Sequence, residues 1–145
     1  MSKINFESPS VQSYLSILQD VIGRMGTNSA GCKTWCIALV SAIVVIISDK
    51  GNPNYAWATL IPIVLFFFLD AYYLGLERRF RERYDTFIRK LHSGAADMAD
   101  VFIVTLEPGL GKTLEATFKA CFSISVWPFY GFLFIMLIIV RAWIL

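Results

Sequence analysis

The side chains best suited to recognising a charged ligand lie between Glu77 and Leu91, where six Arg and Lys residues occur among fifteen. Guanidinium and ammonium groups bind carboxylates and phosphates through charge-assisted hydrogen bonds. At about 100° per residue, a helix here carries an apolar seam made of Tyr73, Phe80, Tyr84, Phe87 and Leu91. The basic residues divide about this seam: Arg79, Arg83 and Lys90 lie beside it, and Arg78 and Arg89 lie on the opposite side, near Glu82 and Asp85.

The cationic edge formed by Arg79, Arg83 and Lys90 has two interpretations. In the first, these bases meet anionic lipid headgroups, as juxtamembrane basic clusters commonly do. In the second, several copies of the chain bring their edges together around an anionic nucleotide or short nucleic acid, with aromatic rings available for stacking. On the second interpretation, the predicted ligand-binding residues are Arg79, Arg83, Lys90, Lys112, Phe80 and Tyr84.

Asp70 is the one charged residue in the run from Tyr55 to Leu76. An ionisable group inside an apolar helix is costly and usually faces the protein interior or a water-filled path. Two roles are open: Asp70 lines or gates a pore, or it sits at the cytoplasmic interface and pairs with an Arg or Lys there. Both roles predict that Asp70 avoids lipid.

The other reactive residue types give little support for catalysis, and we predict that the chain is not an enzyme and carries no metal or cofactor. His92 is the one histidine, so neither a metal site nor a Ser, His and acid triad can be assembled around it with specificity. Cys32, Cys36 and Cys121 lie in or beside apolar stretches, without the spacing of a disulfide framework. The run Pro108–Thr113 lacks the leading glycine of a phosphate-binding loop and predicts a turn before a helix.

The helices that must position these residues are predicted from the apolar composition of the chain. Of 145 residues, 57% are hydrophobic and only 17% are charged, and the mean hydropathy is +0.60, which is typical of membrane proteins. Three stretches are candidate membrane spans: Thr34–Ser48, Tyr55–Leu76 and Ala120–Val140. The first falls short of the roughly 20 residues that cross a typical bilayer. The predicted fold class is an all-α membrane protein with about three transmembrane helices.

The periodicity and the turn residues divide the chain into four segments. Apolar spacings of three and four between Val11 and Met25 predict an amphipathic helix, which either packs on the rest of the protein, as we favour, or lies on a membrane surface. Val101–Leu106 predicts either a short strand or a buried helical turn. The segments are an N-terminal amphipathic cytoplasmic helix in residues 1–31, a transmembrane helical hairpin in 32–76, a basic cytoplasmic helical connection in 77–119 and a third transmembrane helix in 120–145.

The distribution of basic residues indicates the orientation of the chain. With three crossings, eleven of the thirteen Lys and Arg residues fall on one side of the membrane and two, Lys50 and Arg141, on the other. The positive-inside rule then places the N-terminus and the basic connection in the cytoplasm.

This layout of an amphipathic helix and a few spans joined to a short basic cytoplasmic region resembles the small transmembrane effectors of bacterial anti-phage defence systems. It is similar to the two-span effectors of nucleotide-signalling systems and to the membrane effector of the Hailong system. The resemblance implies a multi-pass protein of the bacterial inner membrane that forms an ion channel or membrane-disrupting pore. It also implies control by a nucleotide or short single-stranded DNA on the cytoplasmic side, and a nucleotidyltransferase encoded nearby.

A bundle of about three spans with few polar groups cannot enclose a solvated pathway alone, so conduction requires a homo-oligomer within membrane lipid. Small residues such as Ala38, Ser41 and Ala42 permit the close helix contacts of such an assembly. The alternative function is an accessory or structural membrane subunit whose basic helix docks a cytoplasmic partner.

Overall fold

A computed structural model describes residues 6–50, 53–106 and 109–143, which are mainly helical and contain no strand. Two short 3₁₀ helices, Pro53–Thr59 and Met98–Asp100, precede and follow the second α-helix. The α-helices are α1 Pro9–Lys50, α2 Leu60–His92, α3 Leu110–Cys121 and α4 Trp127–Trp143. The all-α prediction is confirmed.

The helices α1 and α2 pack antiparallel as a hairpin. Near the start of α1 and the end of α2, the rings of Tyr14 and Phe87 meet edge to face with centroids 4.8 Å apart. Toward the hairpin turn, Cys36 Sγ lies 3.9 Å from Pro62 O. Along α1 these two contacts are separated by about 33 Å at 1.5 Å per residue. The helices therefore stay together over most of their length.

The helix α1 continues without a break through the boundary predicted near residue 31. Nothing in the sequence ends it there, because no proline follows Pro9 within α1. From Met25 to Ser48 the one charged residue is Lys33. Continuity of the helix therefore lengthens the first apolar stretch toward the N-terminus. The resulting run of about 24 residues is sufficient to cross a hydrocarbon core.

An apolar cluster closes the end of the hairpin remote from its turn. Each large apolar side chain that is fully buried stabilises such a cluster by about 1.5–3 kcal/mol. The N-terminal part of α1 thus packs on the rest of the protein, as favoured, and uses its apolar face there rather than on a membrane surface. The buried members of this tip cluster are Val11, Tyr14, Leu18, Phe87, Leu91 and Val101.

A second cluster joins α4 to the apolar half of the hairpin. The Tyr130 hydroxyl donates to Phe66 O at 3.1 Å, and the Arg141 guanidinium lies 5.0 Å from the centroid of the Trp57 ring. The later residue of α4 thus meets the earlier residue of the second apolar stretch. The helix α4 therefore runs antiparallel to α2. The buried members of this span cluster are Cys36, Ala56, Ile63, Ala71, Ala120, Cys121, Val126, Tyr130 and Leu137.

The third apolar stretch, predicted as one span over Ala120–Val140, is interrupted. In the turn between α3 and α4, Ser123 O accepts hydrogen bonds from Val126 N at 2.9 Å and Trp127 N at 3.1 Å. Pro128 lies in the first turn of α4, where a helix has no acceptor for the N–H that proline lacks, so the sequence favours the start of a helix there. The helix α4 has 17 residues. Among the described residues, two helical segments, those of α1 and α2, are long and apolar enough to cross a membrane.

The helix α3 lies across α2. Arg78 and Arg79 are neighbours on α2, yet Arg78 Nη2 donates to Ser123 Oγ at 2.8 Å and Arg79 Nη1 donates to Thr113 Oγ1 at 2.5 Å. Ten residues of helix and turn separate these two acceptors, which corresponds to roughly 15 Å in a helix. Two adjacent arginines can reach both acceptors only if α3 passes between them.

The crossing depends on a glycine. A Cβ at Gly75 would lie 3.0 Å from Thr117 N and 3.1 Å from Ala116 C, closer than side-chain carbons normally approach backbone atoms. Small residues are what allow two helix backbones to come this near. Gly75 therefore fixes where α3 crosses α2.

We expect Gly75→Leu to lower the stability of the protein by about 1–3 kcal/mol, because the new side chain must displace the α3 backbone. Gly23→Leu is the matched control, since a Cβ at Gly23 meets nothing within 4 Å and replacing a helical glycine is mildly stabilising. Thermal unfolding in detergent compares the two variants. Equal melting temperatures would contradict the close contact between α2 and α3.

Candidate functional site

A groove of about 720 Å³ lies between the C-terminal half of α2, the helix α3 and the segment that connects them. Its lining carries six positive and three negative side chains, whereas the whole chain has a formal charge of only +2. Positive charge is therefore concentrated in the groove. The bases are Arg78, Arg79, Arg83, Lys90, Lys112 and Lys119, and the acids are Glu82, Asp100 and Glu115.

Two of the three acids are paired with lysines. Lys90 Nζ lies 2.7 Å from Asp100 Oδ1, and Lys119 Nζ lies 2.6 Å from Glu115 Oε1. The second pair is largely exposed and contributes little to stability. These pairs leave the excess of positive charge with the arginines of α2.

Arg83 is held by a neutral oxygen rather than by an acid. Its Nη1 donates to Thr105 O at 2.8 Å, and within the described residues it forms no ion pair. Its Nε is buried and has no hydrogen-bond partner in that part of the chain. A buried donor without an acceptor costs about 1–3 kcal/mol. An anion that accepts from this guanidinium would remove that cost.

The N-terminal part of α1 positions the wall of the groove that carries the Thr105 carbonyl. The buried Tyr14 donates its hydroxyl to Ile103 O at 2.8 Å. Phe102, the residue before Ile103, adopts a φ of 65°, a conformation that costs a bulky residue about 1–3 kcal/mol. Residues 101–106 are irregular, so the short strand or helical turn predicted for Val101–Leu106 is not formed.

Four of the six residues predicted to bind a ligand meet in this groove. Arg79, Arg83 and Lys90 reach it from α2 and Lys112 from α3. A single chain brings these four residues together, whereas the prediction was that several copies are needed to gather the bases. The helical periodicity of α2 is enough to group Arg79, Arg83 and Lys90. Lys112 joins them because α3 crosses α2.

The stacking role predicted for Phe80 and Tyr84 is corrected. Neither residue lines the groove, and both pack half-buried against the tip cluster. The Tyr84 hydroxyl also accepts a hydrogen bond from Gln19 Nε2 at 3.1 Å. The apolar seam of α2 thus faces α1, and the aromatic side chains in the groove lining are Tyr14 and Phe87.

Arg78 and Lys119 are lining residues that the sequence pattern does not identify. The helical periodicity places Arg78 on the side of α2 opposite to the apolar seam, but α3 lies across α2 and contacts both Arg78 and Arg79. Arg89, placed on that same opposite side, stays outside the lining. A usable signal is the seven-residue spacing of Lys112 and Lys119, which puts both on one face of α3.

A second polar cluster lies inside the hairpin around Asp70, whose side chain is fully buried. Lys33 Nζ lies 2.6 Å from Asp70 Oδ2, and the Ser29 hydroxyl donates to Asp70 Oδ1. Ser29 and Lys33 are four residues apart, so one face of α1 presents both. The ion pair joins the one charge in the apolar part of α1 to the one charge in the apolar part of α2.

The burial of Asp70 agrees with the expectation, common to both of its predicted roles, that this residue avoids lipid. Its carboxylate pairs with Lys33 inside the hairpin, which supplies the basic partner of the second role, and the pore-lining role stays a prediction. The periodicity of the sequence does not reveal Lys33 as the partner, because Lys33 belongs to another helix.

No triplet of His, Cys, Asp or Glu side chains close enough to hold a metal ion occurs in the described ranges. The ring of His92 instead lies against that of Phe6, with centroids 4.9 Å apart. Fold and groove together define a helical protein with two helices capable of crossing a membrane and a cationic groove beside one end of them. Comparison with protein-family models, curated proteins and solved structures gives no match for the chain.

We expect Lys33→Met to destabilise the protein by about 3–5 kcal/mol, because it leaves the buried carboxylate of Asp70 without its counter-ion. Adding Asp70→Asn to this variant restores most of the loss, since no buried charge remains. A double-mutant cycle measured by thermal unfolding in detergent gives the coupling energy. Lys119→Met, which breaks an exposed pair, is the control and is expected to change the stability little. Equal losses for the two lysine variants would exclude a special role for the buried pair.

The pKa of Asp100 is lowered from its ordinary value of 3.8, first by the hydrogen bond from Lys90 and then by one from the backbone N–H of Asp97. The folded protein therefore binds this proton more weakly than the unfolded chain does. The stability that ionised Asp100 contributes is complete above the ordinary pKa and is lost as the pH falls through the folded pKa.

We accordingly expect the stability of the native sequence minus that of Asp100→Asn to be constant from neutral pH to about pH 5 and to shrink below about pH 4. Thermal unfolding at a series of pH values measures this difference. Asp85→Asn, which removes an exposed carboxylate outside this pair, is the control. A flat difference curve for Asp100→Asn would argue against the Lys90–Asp100 pair.

Proposed function

We propose that this chain is a multi-pass protein of the bacterial inner membrane, that its cytoplasmic groove binds a phosphate-bearing anion, and that this binding controls an oligomeric pore formed by the transmembrane helices. The observation that carries the proposal is the convergence of Arg79, Arg83, Lys90 and Lys112, from two different helices, on one groove.

The exposed surface of the hairpin supports a lipid environment. In the most apolar window of α1 only 17% of residues are buried, and in that of α2 only 33%, whereas the core helix of a soluble protein is mostly buried. Large side chains such as Val45 and Ile61 are 69% and 72% exposed. A contiguous apolar surface of this kind is not stable in water. With 17 residues, α4 is just long enough for a third crossing.

The charge distribution supports a cytoplasmic groove. The bases that line it belong to the connection between the second and third apolar stretches, which holds most of the Lys and Arg residues of the chain. Such an excess of basic residues is retained on the cytoplasmic side of a membrane. The N-terminal part of α1, which packs beside the groove through Tyr14, lies on the same side.

The donors of the groove suit phosphate. Arg78 and Arg83 are held by a hydroxyl and a carbonyl, so their charges are available to an anion, and guanidinium groups match phosphate oxygens in a bidentate geometry. The volume of about 720 Å³ is within the range of small-molecule sites. A nucleotide, a short single-stranded DNA and a lipid headgroup all offer this chemistry.

The position of α3 links the groove to the membrane helices. Arg78 and Arg79 hold α3 across α2 through Ser123 and Thr113, and α3 leads directly into α4. An anion that takes these donors weakens the attachment of α3. Gly75 lies five residues, or about 7.5 Å of helix, from Asp70, so a displacement of α3 also reaches the buried ion pair. Asp70 is the residue we propose for gating.

Assembly of several copies supplies the pathway that one chain lacks. The side chains of Ala38, Ser41 and Ala42 are exposed and share one face of α1. Small residues on an exposed face allow helices of neighbouring copies to approach closely in a bilayer.

The resemblance to the small transmembrane effectors of anti-phage defence supplies a biological setting. In that setting the ligand is a nucleotide or short single-stranded DNA, its source is a nucleotidyltransferase encoded nearby, and loss of the membrane potential stops growth of the infected cell.

A second candidate function, an accessory subunit that docks a cytoplasmic protein, is favoured by one observation. Met98, Phe102 and Ile103 are 52%, 54% and 39% exposed at the end of the molecule that carries the groove. Exposed apolar residues outside the membrane segments are typical of a protein contact.

We expect the double variant Arg79→Glu/Arg83→Glu to bind cyclic dinucleotides or short single-stranded DNA about 100-fold or more weakly, because each lost charge-assisted contact contributes about 1.5–3 kcal/mol. The protein is reconstituted in liposomes, and binding is measured together with release of an entrapped dye. Arg89→Glu changes the same charge on the same helix outside the groove and is the matched control.

Three outcomes separate the possibilities. Ligand-dependent dye release that the double variant loses and Arg89→Glu keeps supports the proposed function. If binding and dye release depend on anionic lipid through Arg79 and Arg83, and nucleotide or DNA has no effect, the lipid headgroup is the ligand. Monomeric protein, tight liposomes and a co-purifying cytoplasmic protein would favour the accessory subunit instead.

A further inference from the structure

The helix α3 has three faces, and the rest of the chain uses two of them. One face packs on α2 around Gly75, and a second lines the groove with Lys112, Glu115 and Lys119. The third face carries a large apolar side chain at every fourth position and is open. These side chains, which we call the α3 stripe, are Leu110, Leu114, Phe118 and Phe122, and they are 83%, 63%, 66% and 70% exposed.

The α3 stripe is one surface rather than four separate side chains. A spacing of four residues places successive members one above another along a helix, and the rings of Phe118 and Phe122 touch with centroids 5.3 Å apart. Such a stripe on a helix that is charged on another face is typical of helices that lie in a membrane interface.

The stripe continues into the surface of α4. In the turn between the two helices, Ile124 is 89% exposed and Trp127 at the start of α4 is 57% exposed. Beyond them Phe132 and Ile135 are exposed on α4 itself. The apolar surface of α3 is therefore contiguous with the surface that α4 presents to lipid.

The level of α3 along α2 is that of a membrane interface. Gly75, where α3 crosses, is followed by Leu76, the last residue of the apolar run, and by Glu77, the first of the charged part. The centre of the α3 stripe and the centre of the groove face are roughly 115° apart at 100° per residue. When the groove faces the cytoplasm, the stripe therefore faces the bilayer.

We infer that α3 is an in-plane membrane helix, which buries Leu110, Leu114, Phe118 and Phe122 among the acyl chains just below the headgroups of the cytoplasmic leaflet. The occupant is lipid, because the stripe is contiguous with the membrane-facing surface and lies at the depth where that surface ends. The inference rests on the membrane location in the proposed function and is independent of any ligand in the groove.

Site-directed spin labelling in proteoliposomes of phosphatidylcholine and phosphatidylglycerol, without nucleotide, tests this placement. Nitroxides replace Leu114 and Phe118 singly in a chain whose three cysteines are alanine, and collision with oxygen, which concentrates in lipid, is compared with collision with a water-soluble nickel complex. Labels at Met98, exposed beside the groove, and at Val64, exposed near the middle of the apolar run Tyr55–Leu76, are the water and lipid references.

The expected result is an oxygen-to-nickel ratio at both α3 positions above that at Met98 and approaching that at Val64. A ratio like that at Met98 would place the stripe in water, and low collision with both reagents would show that protein covers it; either overturns the inference. If Val64 also gives the aqueous ratio, the membrane location itself fails.

A second measurement uses the native cysteines, in case their replacement prevents folding. Phe118→Glu is compared with Phe102→Glu, an equivalent change at an exposed ring away from the stripe. Hydrogen exchange of residues 110–122 in the same liposomes is expected to rise in the first variant alone. Unchanged exchange in Phe118→Glu would contradict lipid burial of the stripe.

Discussion

The ion pair between Lys33 and Asp70 is the constraint on which the architecture depends. Each residue alone would place an uncompensated charge in an apolar helix, at a cost of several kcal/mol. Together they neutralise one another at 2.6 Å inside the hairpin, and the hydroxyl of Ser29 satisfies the second carboxylate oxygen. The pairing neutralises the one charge in the apolar part of each helix and holds α1 and α2 together at this level.

The same pair sets the register from which the groove is built. Because α2 is a continuous helix from Leu60 to His92, the depth of Asp70 determines the depth of every residue above it. Five residues further on, Gly75 admits α3, and Arg78, Arg79 and Arg83 follow on the same helix and line the groove. The groove is therefore held at a fixed height above the apolar part of the hairpin.

The sequence predicts the parts of this design that depend on one helix at a time. Periodicity groups Arg79, Arg83 and Lys90 on one edge of α2, and it identifies the seam that packs on α1. It does not show which partner each face meets, so Phe80 and Tyr84 are assigned to a ligand although they pack on α1. The crossing at Gly75 has no periodic signal, because it depends on the absence of a side chain. Pro128, by contrast, is visible in the sequence, and its effect on the third span is underestimated when only hydropathy is considered.

The hydrogen bonds that hold α3 in place have a consequence for selectivity. Arg78 and Arg79 already donate hydrogen bonds to the hydroxyls of Ser123 and Thr113. An anion that binds these arginines must therefore compete with the two hydroxyls. At these two arginines an incoming anion gains only the difference between its bonds and those it displaces. If the groove binds an anion as proposed, a solute with several negatively charged oxygens can replace both hydroxyls at once, and the groove would then favour such a solute over the simple monovalent salts of the cell.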